Sequence, residues 1–128
     1  MTAPVWMNAV VSEFGRAAGL KDLALNARGA AAFSFETGTS FRLEYTGEEL
    51  ALYVTVPLRG GYVAMLKRLL AFSHPLASFD FRVRTGLLEK SGRALIAVRL
   101  MEREVTLPRL NAAFGLLWRL AGEIGGVS

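Results

Sequence analysis

Between residues 31 and 56, three runs of alternating side chains are joined by two short glycine-containing links, and this pattern leaves few folds open. Ala31, Phe33 and Phe35 alternate with Ala32, Ser34 and Glu36. After Thr37-Gly38-Thr39, Phe41, Leu43 and Tyr45 alternate with Arg42, Glu44 and Thr46. After Gly47-Glu48-Glu49, Leu50, Leu52, Val54 and Val56 alternate with Ala51, Tyr53 and Thr55, and Pro57 ends the run. Successive side chains of a strand point to opposite faces, so the repeat predicts an antiparallel meander with one buried face.

The flanking segments read as helices and a second pair of strands. Over residues 5–19, Trp6, Val10, Phe14 and Ala17 form an apolar stripe at helical spacing, widened by Met7, Val11 and Ala18. Gly60-Gly61 breaks the strand pattern before a second helix over 62–72, apolar on a broad face through Met65, Leu66, Leu69, Leu70 and Phe72. His74-Pro75 ends it, because the residue before a proline disfavours helical geometry. Phe79, Phe81 and Val83 alternate with Asp80, Arg82 and Arg84. Residues 89–92 read as a hairpin loop, and Ile96, Val98 and Leu100 alternate with Leu95, Ala97 and Arg99. A last helix starts near Leu107, with Pro108 in its first turn and a stripe of Leu110, Phe114, Leu117, Ala121 and Ile124. The expected class is α+β, in the order α-β-β-β-α-β-β-α, with an antiparallel sheet flanked by helices and a single domain over residues 1–128.

Catalytic chemistry finds little to work with. There are no cysteines, which removes disulfides, thiol nucleophiles and Cys-based zinc sites. The one histidine, His74, sits in the helix terminator, and a metal or a nucleophilic triad needs several convergent partners. Glu48-Glu49 belongs to a turn. Gly60-Gly61 lacks the Lys and Ser/Thr of a phosphate-binding loop. No apolar run reaches the roughly 18 residues of a membrane span, and no secretory leader is expected at the N-terminus. A mean hydropathy of +0.34 is high for a small domain, which buries only about two-thirds of its surface. Apolar side chains should therefore stay exposed on a monomer and mark an interface.

Charge is unevenly spread. Residues 1–64 carry five basic and six acidic side chains, and residues 65–128 carry ten and five. The basic half admits an acidic protein, an anionic membrane or nucleic acid as a partner. Arg82, Arg84, Arg93 and Arg99 could line a two-stranded surface. Phe79 and Phe81 point to the opposite face, so stacking and charge would not coincide as nucleic-acid binding requires.

The element order, with Phe14-Gly15-Arg16 through Gly19-Leu20, Phe33-Ser34-Phe35-Glu36, Leu43-Glu44-Tyr45, Glu48-Glu49-Leu50-Ala51-Leu52-Tyr53, Pro57-Leu58 and the closing segment 107–126, resembles the class I type III secretion chaperones over nearly the whole chain. The resemblance implies a cytoplasmic bacterial homodimer that binds the N-terminal region of a secreted effector in extended form. It keeps the effector soluble and competent for export, with the secretion apparatus as a further partner. It implies no cofactor, no metal and no enzymatic activity. Carried onto this chain, it places the dimer interface at Met65, Leu66, Leu69, Leu70, Phe79, Phe81 and Val83. Trp6, Val10, Phe33, Phe35 and Phe41 are the expected effector-binding residues. The family is usually acidic, whereas this chain has a pI of about 10.0. That difference fits an acidic effector segment or a partner subunit of opposite charge. The alternative reading is a small basic nucleic-acid-binding α+β module.

Overall fold

A computed structural model describes residues 2–57, 62–72, 81–88 and 91–125, and the elements follow the expected order. They are α1 (Val5–Ala17), β1 (Ala30–Ser34), β2 (Ser40–Tyr45), β3 (Glu49–Pro57), α2 (Tyr62–Phe72), β4 (Val83–Leu88), β5 (Arg93–Met101) and α3 (Leu107–Gly125). A 3-10 turn over Glu102–Glu104 leads into α3. Among the described residues the strands form one antiparallel sheet in the order β1-β2-β3-β5-β4.

The register converts the alternation into a single apolar face. Phe33 stands opposite Phe41, Phe41 opposite Val54, Val54 opposite Ile96, and Val98 opposite both Leu52 and Val83. All of these except Phe33 are buried. The helices gather on that face. α3 lies across β3 and β5, α1 packs on α3, and α2 covers β4. Leu110, Ala113, Leu117, Leu120 and Ile124 bury the α3 side of the contact.

Three details differ from the sequence reading. The buried stripe of α1 is Met7, Val11, Phe14 and Gly15, one position round from the stripe through Trp6 and Val10. One residue turns a helix by about 100°, so Trp6 lies on the exposed side. Phe35 falls just beyond β1. β4 begins at Val83, with Phe81 buried two residues before it, and Phe79, His74 and Gly60-Gly61 lie outside the described residues.

The segment after α1 is an ordered strap. Leu20, Leu23 and Leu25 are buried, and the strap folds back over Gly15. A Cβ at Gly15 would meet Leu23 Cβ at 2.7 Å and the Leu20 carbonyl oxygen at 3.2 Å. Gly15→Ala improves helix propensity by roughly 0.8–1 kcal/mol, but overpacking costs roughly 1–3 kcal/mol. The variant should therefore unfold at a lower denaturant midpoint than the parent. A higher midpoint would mean that the strap does not press on the helix. Asn26 closes the strap: its Oδ1 accepts from the N–H of Arg28 (2.9 Å) and of Ala30 (3.1 Å), and its own N–H donates to Ala30 O (2.8 Å).

Candidate functional site

β1 is an edge strand, and its hydrogen bonding shows which backbone groups face outward. Phe35 N–H donates to Thr39 O (2.8 Å) and Tyr45 N–H donates to Gly29 O (2.8 Å). Groups directed at the partner strand alternate in an antiparallel pair. Ala31 and Phe33 therefore face β2, while Ala30, Ala32 and Ser34 face away. Asn26 satisfies Ala30. The N–H and C=O of Ala32 and Ser34 have no hydrogen-bond partner among the described residues.

A ladder of aromatic rings runs beside this edge. Ring centroids lie 4.9 Å apart for Phe33 and Phe35, 4.7 Å for Phe35 and Trp118, and 6.0 Å for Trp118 and Phe114. The ladder continues inward from Phe114 to Phe41 at 4.8 Å and from Phe41 to Phe14 at 6.2 Å. Exposure grades along it. Trp118 is 45% exposed, Phe33, Phe35 and Phe114 are half-buried, and Phe41 is 1% exposed. The outer rungs form an apolar shelf next to four unpaired backbone groups.

Of the five residues expected at an effector groove, the structure brings Phe33 and Phe35 together. Phe41 is buried. It sits one strand in from the edge, with the rings of Phe14 and Phe114 against it, so it supports the shelf from within. Val10 is half-buried against the core. Trp6 is 46% exposed on α1, and among the described residues no ring contact joins it to the ladder. Trp118 was missed. Its signal was present four residues beyond Phe114, on the flank of the stripe through Leu117.

The residues expected at a dimer interface separate in the same way. Leu70 is 61% exposed and Leu66 half-buried, whereas Leu69, one residue away, is 2% exposed. The Leu69 carbonyl accepts from Thr85 Oγ1 (3.3 Å), and Arg68 Nη1 donates to the Glu123 carbonyl (2.6 Å); these bonds tie α2 to β4 and to α3. Phe81 is buried, with the Arg109 guanidinium carbon 4.2 Å from its ring centroid, and Val83 is buried on the inner sheet face. Leu69, Phe81 and Val83 are therefore covered by the chain's own core, whereas Leu70 is on the surface of α2. The side chain of Met65 and all of Phe79 lie outside the described residues.

Two tyrosines have raised pKa values. Burial, followed by the negative charge of Glu102, raises Tyr45, whose hydroxyl donates to Gly47 O (2.9 Å). Burial, followed by the hydrogen bond to Glu44 (3.1 Å), raises Tyr53. Among the described residues no group of three His, Asp or Glu side chains gathers to hold a metal ion. No helix among them is long and apolar enough to cross a membrane.

The family "Type III secretory system chaperone SycN" matches residues 6–125. No curated protein matches the chain. Solved structures share its fold. One is a chain in the crystal structure of the ExsC–ExsE complex, with TM-score 0.71 and 20% identity, covering 99% of this chain and 96% of that one. Another is a chain in the structure of the Yersinia pestis type III secretion chaperone SycH bound to a stable fragment of YscM2, with TM-score 0.70, 17% identity and coverage of 92% and 98%. A third comes from the HopA1–SchA chaperone–effector complex, with TM-score 0.69, 16% identity and coverage of 92% and 91%.

Proposed function

Because the chain belongs to the type III secretory system chaperone SycN family, we propose that it binds the N-terminal region of an exported effector in extended form and keeps it soluble and competent for export. The unpaired edge of β1 beside the aromatic shelf carries this reading. An added client strand would exchange hydrogen bonds with Ala32 and Ser34 and lay alternate side chains on Phe33, Phe35 and Trp118. Such binding gives the client's apolar residues a partner other than one another, and it needs no catalytic group. The similar folds found in the ExsC–ExsE, SycH–YscM2 and HopA1–SchA complexes support a polypeptide as the partner.

The working unit is a homodimer in the bacterial cytoplasm, with Leu70 and Leu66 of α2 at the contact between copies. The loaded complex then presents its client to the secretion apparatus. Trp6 and Val10 extend the client path over α1.

Ala32→Pro tests the edge. The N–H it removes points away from β2, and the preceding residue is already extended, so the β1–β2 ladder stays intact. With effector N-terminal fragments co-expressed, size-exclusion chromatography with light scattering should show the parent eluting as two copies with one fragment. The proline variant should elute as a folded dimer without it. Full retention of the fragment by the variant would mean that the client does not add to β1.

A further inference from the structure

The sheet face turned away from the helices is uncovered among the described residues, and we propose that it docks an acidic, extended segment of the client. The register defines this surface. One row across four strands reads Arg42, Tyr53, Ala97, Arg84. The next row on one side carries Glu44, Ala51 and Arg99. Between Arg42 and Arg84 the floor is the Tyr53 ring and the Ala97 methyl, with Ala51 beside them, so a polypeptide backbone can approach closely over the two alanines.

The charges on this face are available. Arg84 and Arg99 are exposed and have no ion-pair or hydrogen-bond partner among the described residues. Arg42 lies over Tyr53, 6.0 Å from the ring centroid, and among the described residues no carboxylate forms an ion pair with it. Arg93 is pinned at the rim. Its Nε donates to Thr55 Oγ1 (3.1 Å) and its Nη2 to Thr55 O (2.9 Å) and to the Gly38 carbonyl. These bonds hold β5, β3 and the β1–β2 turn together around an open hollow of about 490 Å³.

Geometry restricts the ligand. Strands lie about 4.8 Å apart, so Arg42 and Arg84 are separated by about 14 Å across the sheet. An extended chain advances about 3.4 Å per residue, so carboxylates roughly four residues apart would reach both arginines, with the residue midway between them over Tyr53 and Ala97. A nucleic acid fits less well. Glu44 and Glu49 stand on the same face and would repel continuous phosphate. Tyr53 is held by Glu44 and Arg42, which removes it as a stacking platform. Because the segment belongs to the client held at β1, the assignment rests on the edge reading.

The test uses a labelled peptide with two glutamates four residues apart around a central leucine, read by fluorescence anisotropy on the intact protein. Binding should weaken as salt rises, fall at least tenfold in Arg42→Glu/Arg84→Glu, and persist in the charge-matched Arg16→Glu/Arg119→Glu. All four arginines are exposed, and a thermal melt verifies folding; Arg84→Ala alone should give a smaller loss in the same direction. Equal losses in both double variants would overturn the proposal. So would duplex DNA or phosphatidylserine vesicles binding more tightly than the peptide through Arg42 and Arg84. Ala32→Pro separates the two sites: it should leave the peptide bound while releasing the client. If the client stays on Ala32→Pro and the peptide still needs the arginines, the edge reading fails and takes with it the assignment of the segment to a client held at β1, while the arginine face keeps its acidic-segment site.

Discussion

Trp118→Ala and Phe33→Ala should each weaken client binding by about 2 kcal/mol or more, roughly thirtyfold in Kd, with the largest loss in the double variant. Large aromatic side chains that a partner packs over and fully desolvates dominate the energy of polypeptide interfaces. Trp118 and Phe33 are the outer rungs of a ladder whose inner rungs are already packed. Truncating an outer rung removes contact area from the client and only part of a packing partner from the fold. Isothermal titration with the effector fragment gives the affinity, and a thermal melt gives the stability cost. Unchanged affinity in the double variant would remove the shelf from the client's path. A melt that collapses in Trp118→Ala would mean that the ring serves the core.

Leu69→Asp and Leu70→Asp, one residue apart, should fail in opposite ways. Leu69 is buried against the sheet. A carboxylate there has no partner, and the lost apolar burial alone amounts to about 2–5 kcal/mol. That is a large fraction of a typical stability of about 5–15 kcal/mol, so the protein should be unfolded or insoluble. Leu70 is 61% exposed. Aspartate there is solvated in the monomer and becomes unfavourable only when a second copy packs over it. Circular dichroism should show a native spectrum for Leu70→Asp, and light scattering should show a monomer. A stable Leu70→Asp dimer would move the contact away from α2. A folded Leu69→Asp would mean that α2 does not seal the core.

Much of the fold was legible because it rests on local periodicity. The alternation from Leu50 to Val56 identifies the inner face of β3 wherever that strand lies in the sheet, since the pleat admits only two faces. The α3 stripe of Leu110, Leu117 and Ile124 is legible for the same reason. The α1 stripe was ambiguous because both Trp6-Val10 and Met7-Val11 satisfy helical spacing. Packing of the strap's Leu20 and Leu23 over Gly15 selected the second. The β1 edge was less legible. Nothing local to Ala32 says that its N–H lacks a partner; that follows from the place of β1 at the end of the sheet.

The amino-acid sequence by itself determined the order of the elements, the inner face of each strand and the absence of cysteine chemistry, because these depend on neighbours within a few positions. Only the tertiary structure decided which apolar side chains remain open. Phe33 and Phe41 follow the same alternation and stand opposite one another, yet one flanks an open edge and the other is sealed by Phe14 and Phe114. Leu69 and Leu70 are identical in kind and adjacent in the chain, yet one is core and the other surface. Exposure depends on what arrives from elsewhere in the chain to cover a side chain, and a local pattern carries no record of that.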